Sequence, residues 1–173
     1  EVELLLQLQK RLPALIAQAT QLRAGGATMV IAVAHAGGRC TRVDTLTDDL
    51  SSCDQDAEIF QLARALPPGL VDAIVAGHRH DPLARDVNGL PIIQSGWGAR
   101  TFGRIDFTVD RASKRPVGHR LHQPQPICTR IVPQRDGCAD AGAVGSLAVE
   151  YEGATVAQAT HVAAIVAPAV QAA

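Results

Sequence analysis

Three histidines are the residues of this sequence best suited to act together. His35 ends the segment TMVIAVAH, and His78 and His80 end the segment VDAIVAGHRH. Each segment contains a short apolar run that favours a strand buried on both faces, so histidines follow the ends of two strands. Imidazole-rich sites suit Zn²⁺, Mn²⁺ or Fe rather than Ca²⁺ or Mg²⁺ alone. The three residues therefore predict a metal site.

The spacing of His78 and His80 indicates how they could bind two neighbouring metal ions. Residues two apart in extended backbone point the same way, so both rings could reach metal ions roughly 3.5–4 Å apart. Gly77 lets the backbone turn just before them. His119 and His122 lie on a predicted hairpin strand and His161 on the predicted last helix, and we interpret each of them as solvated rather than functional.

The elements that must position these histidines alternate between helix and strand. Apolar spacing predicts, in order, helix 2–24 with a kink or break at Pro13, strand 28–33, helix 57–65 and strand 71–76. The intervening loop from residue 35 to 56 is long enough to suggest function. A helical crossover makes the two strands parallel neighbours, which brings both histidine segments to one edge of the sheet.

The remaining segments indicate hairpins and a last helix. Asn88-Gly89 is a turn signal between strands 84–87 and 90–94. The further elements are strands 104–110 and 117–122, a weakly patterned stretch 133–153, and helix 155–166 with Pro168 near its end. The fold class is therefore α/β, with a mixed β-sheet flanked by helices.

Three blocks carry a resemblance to a known family. AHAGG, VDAIVAGHRH and PIIQSGWGARTFGRIDF occur in this order. They resemble the later half of the catalytic domain of the secreted 5′-nucleotidase-type metallophosphoesterases, over about residues 10–130. The segment YEGATVAQATHVAAIVAPAV is similar to the one that joins that domain to the family's carboxyl-terminal substrate domain.

The resemblance implies a ligand set for two divalent metal ions (Zn, Mn or Fe). His35 and His78 would bind one ion and His80 the other. Ala34 departs from the hydroxyl residue that is usual before the first histidine. Asp81 could orient a histidine, although a simple turn residue before Pro82 is an equal alternative.

The residues after the second block receive no chemical role from the resemblance. Gln94, Ser95 and Gly96 fall where the family brings a loop beside the site, and we assign them no chemistry. Trp97 and Phe102 are expected to pack rather than to stack on substrate.

The resemblance also implies a larger architecture. The family fold is a four-layer α-β-β-α sandwich, of which residues 1–132 would be the carboxyl-terminal part. Residues 133–173 would be a linker and helix that lead to an absent substrate domain. The family's Asp-x-His, Gly-Asp-x-x-Asp and Gly-Asn-His blocks are missing here, and the only asparagine is Asn88. We therefore expect no catalytic residue within this chain, an amino-terminal half elsewhere, and no activity from the chain alone.

The implied reaction is hydrolysis of a phosphate monoester, with a nucleotide as the expected substrate. A cyclic nucleotide, a nucleotide sugar or a sulfate ester of a cysteine thiol are alternatives that keep the same site. A non-catalytic exported module that retains only the scaffold is an alternative from another class, and the missing blocks favour it.

Four cysteines lie in polar, turn-like surroundings. The pairing Cys40–Cys53 with Cys128–Cys138 closes two short loops, and it is preferred among the three possible pairings. Disulfides indicate an exported protein, periplasmic, extracellular or at the cell surface. A zinc site made of Cys40, Cys53, His78 and His80 is the alternative, although it lacks the close cysteine spacing of structural zinc sites.

Composition excludes several partner classes. The 173 residues are 47% hydrophobic and 19% charged, which is enough apolar material for a core. The formal net charge is −1 and aromatic residues are 3% of the chain, so a nucleic acid polymer is not an expected partner. The apolar stretch 161–170 is too short to span a membrane.

Overall fold

The computed structural model describes residues 2–43, 47–132, 138–139 and 142–172. The chain divides into two compact units, Glu1–Gln125 and Pro126–Ala173. The domain boundary predicted after residue 132 adjoins residues 133–137, which lie outside the described residues.

The first unit is built on a mixed four-stranded sheet. Its helices and strands are α1 (Val2–Ala24), β1 (Ile31–Ala34), α2 (Glu58–Ala65), β2 (Ala73–Ala76), β3 (Pro82–Val87), β4 (Leu90–Ser95), β5 (Thr101–Val109) and β6 (Pro116–Pro126). The strand order is β1-β2-β4-β3. β2 is parallel to both β1 and β4, whereas β3 is antiparallel to β4. The predicted α/β class is confirmed, and so is the parallel pairing of the two histidine-bearing strands.

The core lies between the sheet and its two preceding helices. Ile59 and Phe60 of α2 are fully buried, as are Ile74 and Ile92 of the sheet. α1 adds Leu12, Leu15, Ile16 and Ala19 to this cluster. It runs unbroken through Pro13, where the sequence predicts a kink or break. We attribute the continuity to this apolar contact, because tertiary packing commonly outweighs the single helical hydrogen bond that proline removes.

Asp72 fixes α1 to the beginning of the sheet. Its carboxylate accepts a hydrogen bond from the Val30 N–H at 2.6 Å and pairs with the Arg23 guanidinium, also at 2.6 Å. Both side chains are largely buried, so these contacts escape most of the screening that weakens surface ion pairs. The entry to β1 and the start of β2 are thereby held at the same level, which sets where both strands end.

The opposite face of the sheet is open at β1, contrary to the prediction of strands buried on both faces. Val33, Val75 and Ile93 form one row across β1, β2 and β4. Exposure falls along that row, from 83% at Val33 to 40% at Val75 and 6% at Ile93. Gly103 of β5 packs against Ile93. The helices cover only the other face, so the β1 side of this apolar surface faces solvent.

The second unit contains short strands and one helix. Its elements are β7 (Arg130–Ile131), β8 (Leu147–Ala148), β9 (Glu150–Tyr151), β10 (Ala154–Thr155) and α3 (Thr160–Gln171). The predicted start of the last helix at Thr155 is wrong, because Ala154 and Thr155 pair with β9 instead. Pro168 lies inside α3, three residues before its end at Gln171. Over the described residues, no helix is long and apolar enough to cross a membrane.

Candidate metal centre

His35 and His78 meet at the carboxyl ends of two parallel strands. Ala34 and Ala76 are register partners at the last position of β1 and β2; His35 follows Ala34 directly, and His78 follows Ala76 after Gly77. The His78 Nδ1 atom lies 3.1 Å from the His35 Nε2 atom. The two rings are 4.8 Å apart between centroids and meet edge to face. Parallel pairing therefore brings together residues that are 43 positions apart in the chain.

The backbone beneath the His35 ring is tightly packed. Ala36, Gly37 and Gly38 are buried, whereas the imidazole is exposed. The Gly77 N–H donates to the Ala36 carbonyl at 3.2 Å. A Cβ at residue 37 would lie 2.7 Å from the Gln94 Oε1 atom and 2.8 Å from the Arg79 Cβ atom. Only glycine fits at residue 37. The absence of a side chain there lets the loop after His35 lie directly against the loop that carries His78.

His78 adopts a backbone conformation that histidine rarely takes. Its φ is 73°, in the left-handed region, and the Arg79 N–H donates to the Gly77 carbonyl at 2.9 Å. The extended backbone that would point His78 and His80 the same way is therefore not present. This tight turn directs the His78 ring toward His35. Left-handed non-glycine residues cost energy and cluster at functional sites, so the strain at His78 marks it as a candidate functional residue.

His80 has different neighbours from the other two histidines. Its ring stacks on Trp97 at 6.0 Å between centroids, with 22° between the planes. The Arg100 guanidinium lies 4.1 Å from the Trp97 ring centroid, within cation–π distance. Trp97 is 49% exposed, so it packs against these two side chains at the surface and not in the core.

The Asp81 carboxylate faces an arginine. Its nearest ion-pair partner is the Arg39 Nε atom, at 3.7 Å, and both side chains are well exposed. Its main-chain carbonyl accepts a hydrogen bond from Gln94. In the part of the chain that the structure describes, Asp81 makes no hydrogen bond to a histidine, and no group of three or more His, Cys, Asp or Glu side chains is arranged to hold a metal ion. The structure brings together two of the three predicted ligands.

Both disulfides are the pairs predicted from the sequence. Cys40 is bonded to Cys53 and Cys128 to Cys138. The first closes the loop that follows His35, where the Thr41 N–H also donates to the Ser52 carbonyl at 2.9 Å. The alternative zinc site from Cys40, Cys53, His78 and His80 is wrong, because disulfide sulfurs are not thiolate ligands.

Two histidines that we interpreted as solvated are paired with aspartates instead. His119 Nε2 lies 2.7 Å from Asp86 Oδ2, and His122 Nε2 lies 2.9 Å from Asp106 Oδ2. Hydrogen bonds from Arg104 and then from His122 hold the pKa of Asp106 below its usual value. His119 also lines a cavity of about 450 Å³, which none of His35, His78 and His80 lines.

Sequence reasoning assigned no chemistry to Gln94 and expected Trp97 to pack, and it did not predict the contacts that either residue makes beside the histidines. Gln94 is a polar residue within the apolar strand segment PIIQS, and it is 1% exposed. A buried amide needs hydrogen-bond partners, so this placement was a detectable signal. Trp97 stands between two glycines in a chain with a single tryptophan, which is a sign of an exposed loop position.

A solved structure of a nucleotidase resembles part of this chain. A candidate 5′-nucleotidase from Staphylococcus aureus, solved in complex with alpha-ketoglutarate, aligns with 69% of this chain at a TM-score of 0.43 and 21% sequence identity. This chain covers 21% of that protein's length. A similarity this low assigns neither fold nor activity. No family model and no curated protein matches the sequence.

Proposed function

We propose that this chain is part of a dinuclear-metal hydrolase of phosphate monoesters, with nucleotides as the substrate class. His35 and His78 bind one divalent ion and His80 binds the second, the ions being Zn²⁺, Mn²⁺ or Fe. The sequence blocks that contain these histidines suggest the reaction class. The geometry of the His35–His78 pair supports the metal.

The 3.1 Å separation of the two imidazole nitrogens carries this proposal. Two nitrogens that each lie 2.0–2.1 Å from one tetrahedral Zn²⁺ are about 3.3 Å apart. The observed distance differs from this value by a few tenths of an ångström, so little movement of either ring is needed. Both rings are exposed at the mouth of their loops, which leaves the position accessible to an ion.

Divalent ions at such a site supply a hydroxide nucleophile near neutral pH and offset the charge of the phosphate. The part of this chain is to hold those ions through neutral imidazole nitrogens. A site of neutral ligands alone leaves two dications to repel each other strongly. A carboxylate that would relieve this repulsion, and the groups that would act on the ester, would come from an amino-terminal half outside this chain. We assign no catalytic residue to these 173 residues.

The open face of the sheet supports a four-layer α-β-β-α sandwich. Ile31, Val33 and Val75 expose 47%, 83% and 40% of their surface on the face opposite the helices. Exposed apolar area of this kind commonly marks an interface. We propose that the amino-terminal half supplies a second sheet that packs there, beside residues 1–132. Residues 133–173 then lead to a substrate domain.

The two disulfides support export to the periplasm, the extracellular space or the cell surface. Cys40–Cys53 and Cys128–Cys138 use all four cysteines of the chain. Disulfides persist in oxidising compartments and are rare in reducing ones.

A non-catalytic module is the second candidate function. The observation that favours it is that no three potential ligand side chains converge within the described residues. In this case His35 and His78 form a hydrogen bond that links their two loops, and the scaffold serves only to bind a partner.

Metal titration distinguishes the two candidates. We expect this chain to bind one Zn²⁺ or Co²⁺ ion weakly, measured by calorimetry and by the visible absorption of Co²⁺. The variants His35→Ala and His78→Ala should each abolish this binding. His161→Ala is the matched control, because His161 lies in the other compact unit, and it should bind as the unmodified chain does. Binding that survives in both site variants contradicts the proposal.

Phosphate release tests the hydrolase directly. With added Mn²⁺ or Zn²⁺ and a nucleoside monophosphate, this chain should release no phosphate, whereas a version extended upstream of Glu1 should. Equal activity of the two would show that the catalytic groups lie within these residues, and the half-site proposal would be wrong. An inactive extended protein that still binds metal would favour the non-catalytic module.

A further inference from the structure

Gln94 is a buried amide that touches both histidine loops. It lies on β4 and is 1% exposed. Its Nε2 atom donates to the Gly38 carbonyl at 3.2 Å, and also to the Asp81 carbonyl. The first acceptor follows His35 by three residues, and the second follows His80 by one. A single side chain therefore links the two loops that carry the candidate ligands.

The chemistry of the two acceptors fixes the orientation of this amide. Main-chain carbonyls accept hydrogen bonds and never donate them, so the NH₂ end must face both loops. The Oε1 end then points at Gly37, where a Cβ would lie 2.7 Å away. Both amide hydrogens are used, and turning the amide over would bring its oxygen against two carbonyl oxygens. Gln94 is consequently held in one orientation.

We propose that Gln94 is a positioning residue that holds the His35 and His78 rings at ligand distance. The proposal rests on the proposed function in so far as the ligand is a divalent ion. Gln94 touches neither histidine ring. It acts through Gly38 and Asp81, and it sets the separation of the two loops below the rings. Removing the two hydrogen bonds lets those loops move apart.

The alternative is that Gln94 serves the core alone and has no effect on the rings. Under that alternative its removal lowers stability and leaves the His35–His78 geometry unchanged. A measurement of ring proximity separates the two roles, because global stability by itself does not alter the distance between two rings in folded molecules.

The test replaces Gln94 with methionine, which keeps the length of the side chain and removes the amide. Gln61→Met is the matched control. Gln61 lies on α2, and its Nε2 atom also donates to a main-chain carbonyl, that of Asp56. Nuclear Overhauser effects between the His35 and His78 ring protons are measured first, without metal. Zn²⁺ affinity is measured second, by competition with a chelating dye.

We expect the inter-ring effects to be present in the unmodified chain and in Gln61→Met, and to be lost or strongly reduced in Gln94→Met. Zn²⁺ affinity should fall by about tenfold or more in Gln94→Met alone, as it does when groups that orient metal ligands are removed. If Gln94→Met does not fold, Gln94→Asn takes its place, because it keeps the amide but is one methylene too short to reach both carbonyls.

Two results overturn the proposal. One is inter-ring effects of full strength in the folded Gln94 variant. The other is their absence in the unmodified chain. If the unmodified chain shows them and binds no metal, the proposed function fails, but the loss of ring proximity in Gln94→Met still establishes the positioning role.

Discussion

Four histidines of the first unit, His35, His78, His119 and His122, form two kinds of side-chain pair. His119 and His122 each meet a carboxylate, Asp86 and Asp106, at 2.7 and 2.9 Å. His35 instead meets another imidazole, that of His78, at 3.1 Å. The side chains of His119 and His122 are both 24% exposed, whereas both rings of the imidazole pair are exposed to solvent.

The difference separates structural histidines from candidate ligands. A carboxylate uses the hydrogen-bonding capacity of an imidazole nitrogen and ties it to a neighbouring strand or turn. Asp86 also accepts a hydrogen bond from the Gly89 N–H at 2.7 Å, so its histidine pair belongs to the β3–β4 turn. When each neutral ring carries its proton on the nitrogen that points away from the other ring, both facing nitrogens present lone pairs that one cation can use.

Removal of the Cys40–Cys53 disulfide should have the largest effect on stability and on the His35–His78 pair. The double variant Cys40→Ser/Cys53→Ser should lower the free energy of unfolding by about 3 kcal/mol, because the bond closes a short loop. Urea denaturation measures this loss. The His35–His78 inter-ring signals should weaken as well, since the disulfide closes the loop that follows His35.

The matched control is Cys128→Ser/Cys138→Ser. Its disulfide has a sequence separation of 10, against 13 for Cys40–Cys53, so a comparable loss of stability is expected. That loss should occur within the second unit and leave the His35–His78 signals unchanged. Equal disturbance of the histidine pair by both variants would contradict the idea that the first disulfide supports the site locally.

Gly37→Ala should have the next largest effect. The new methyl group would press on the Gly77 carbonyl, on Gln94 and on Arg79 at once. Overpacking of this kind costs about 1–3 kcal/mol, and here it should also push the two histidine loops apart. The free energy of unfolding and the Zn²⁺ affinity should both fall.

Gly118→Ala controls for the substitution itself. Nothing lies within 4 Å of a Cβ at residue 118, on β6 and beside His119. Its stability should stay within about 0.5 kcal/mol of the unmodified chain, as surface changes usually do. Metal affinity that is unchanged in Gly37→Ala would show that the loop approach at residue 37 does not govern the imidazole pair.

The sequence predicts the placement of the histidine pair because that placement depends on strand order. Apolar runs, the helical crossover and the strand ends are all visible in the pattern, and they bring residues 35 and 78 to one edge. The disulfide pairs are predictable for a similar reason, since short loops and turn residues restrict the choice.

The direction of each ring is not predictable from the same pattern. His78 turns toward His35 because its φ is 73°, and extended backbone was the expectation. His80 lies on Trp97 because of the loop that follows β4, whose glycines allow many conformations. The open sheet face was also missed, since the apolar run of β1 gives no sign that the helices cover only one side.

The backbone strain at His78 predicts opposite effects of glycine at the two positions of the imidazole pair. Glycine accepts a φ of 73° without cost, so His78→Gly should be more stable than His78→Ala by about 1 kcal/mol. His35 is not among the residues with positive φ. There the order should reverse, with His35→Gly less stable than His35→Ala by roughly 0.5–1 kcal/mol. Thermal or urea unfolding of the four variants measures both differences. The same order at both positions would show that the strain at His78 is not stored in its backbone.

The smallest expected effect concerns the charge of Asp106, the carboxylate that is paired with His122. Hydrogen bonds from Arg104 and His122 hold the pKa of Asp106 below its usual value, so the folded state favours the ionised carboxylate. This contribution is fully present above the unfolded pKa and is lost as the pH falls through the lower folded value. Because Asp106 is on the surface, the contribution is small. The unfolding free energy of Asp106→Asn, measured against the unmodified chain from about pH 6 down to about pH 2, should differ most above about pH 4 and converge toward the acid end. The inter-ring signals of His35 and His78 should not change, since that pair contains no carboxylate within the described residues. If Asp106→Asn alters them, the two kinds of histidine pair are coupled and the separation between structural and ligand histidines fails.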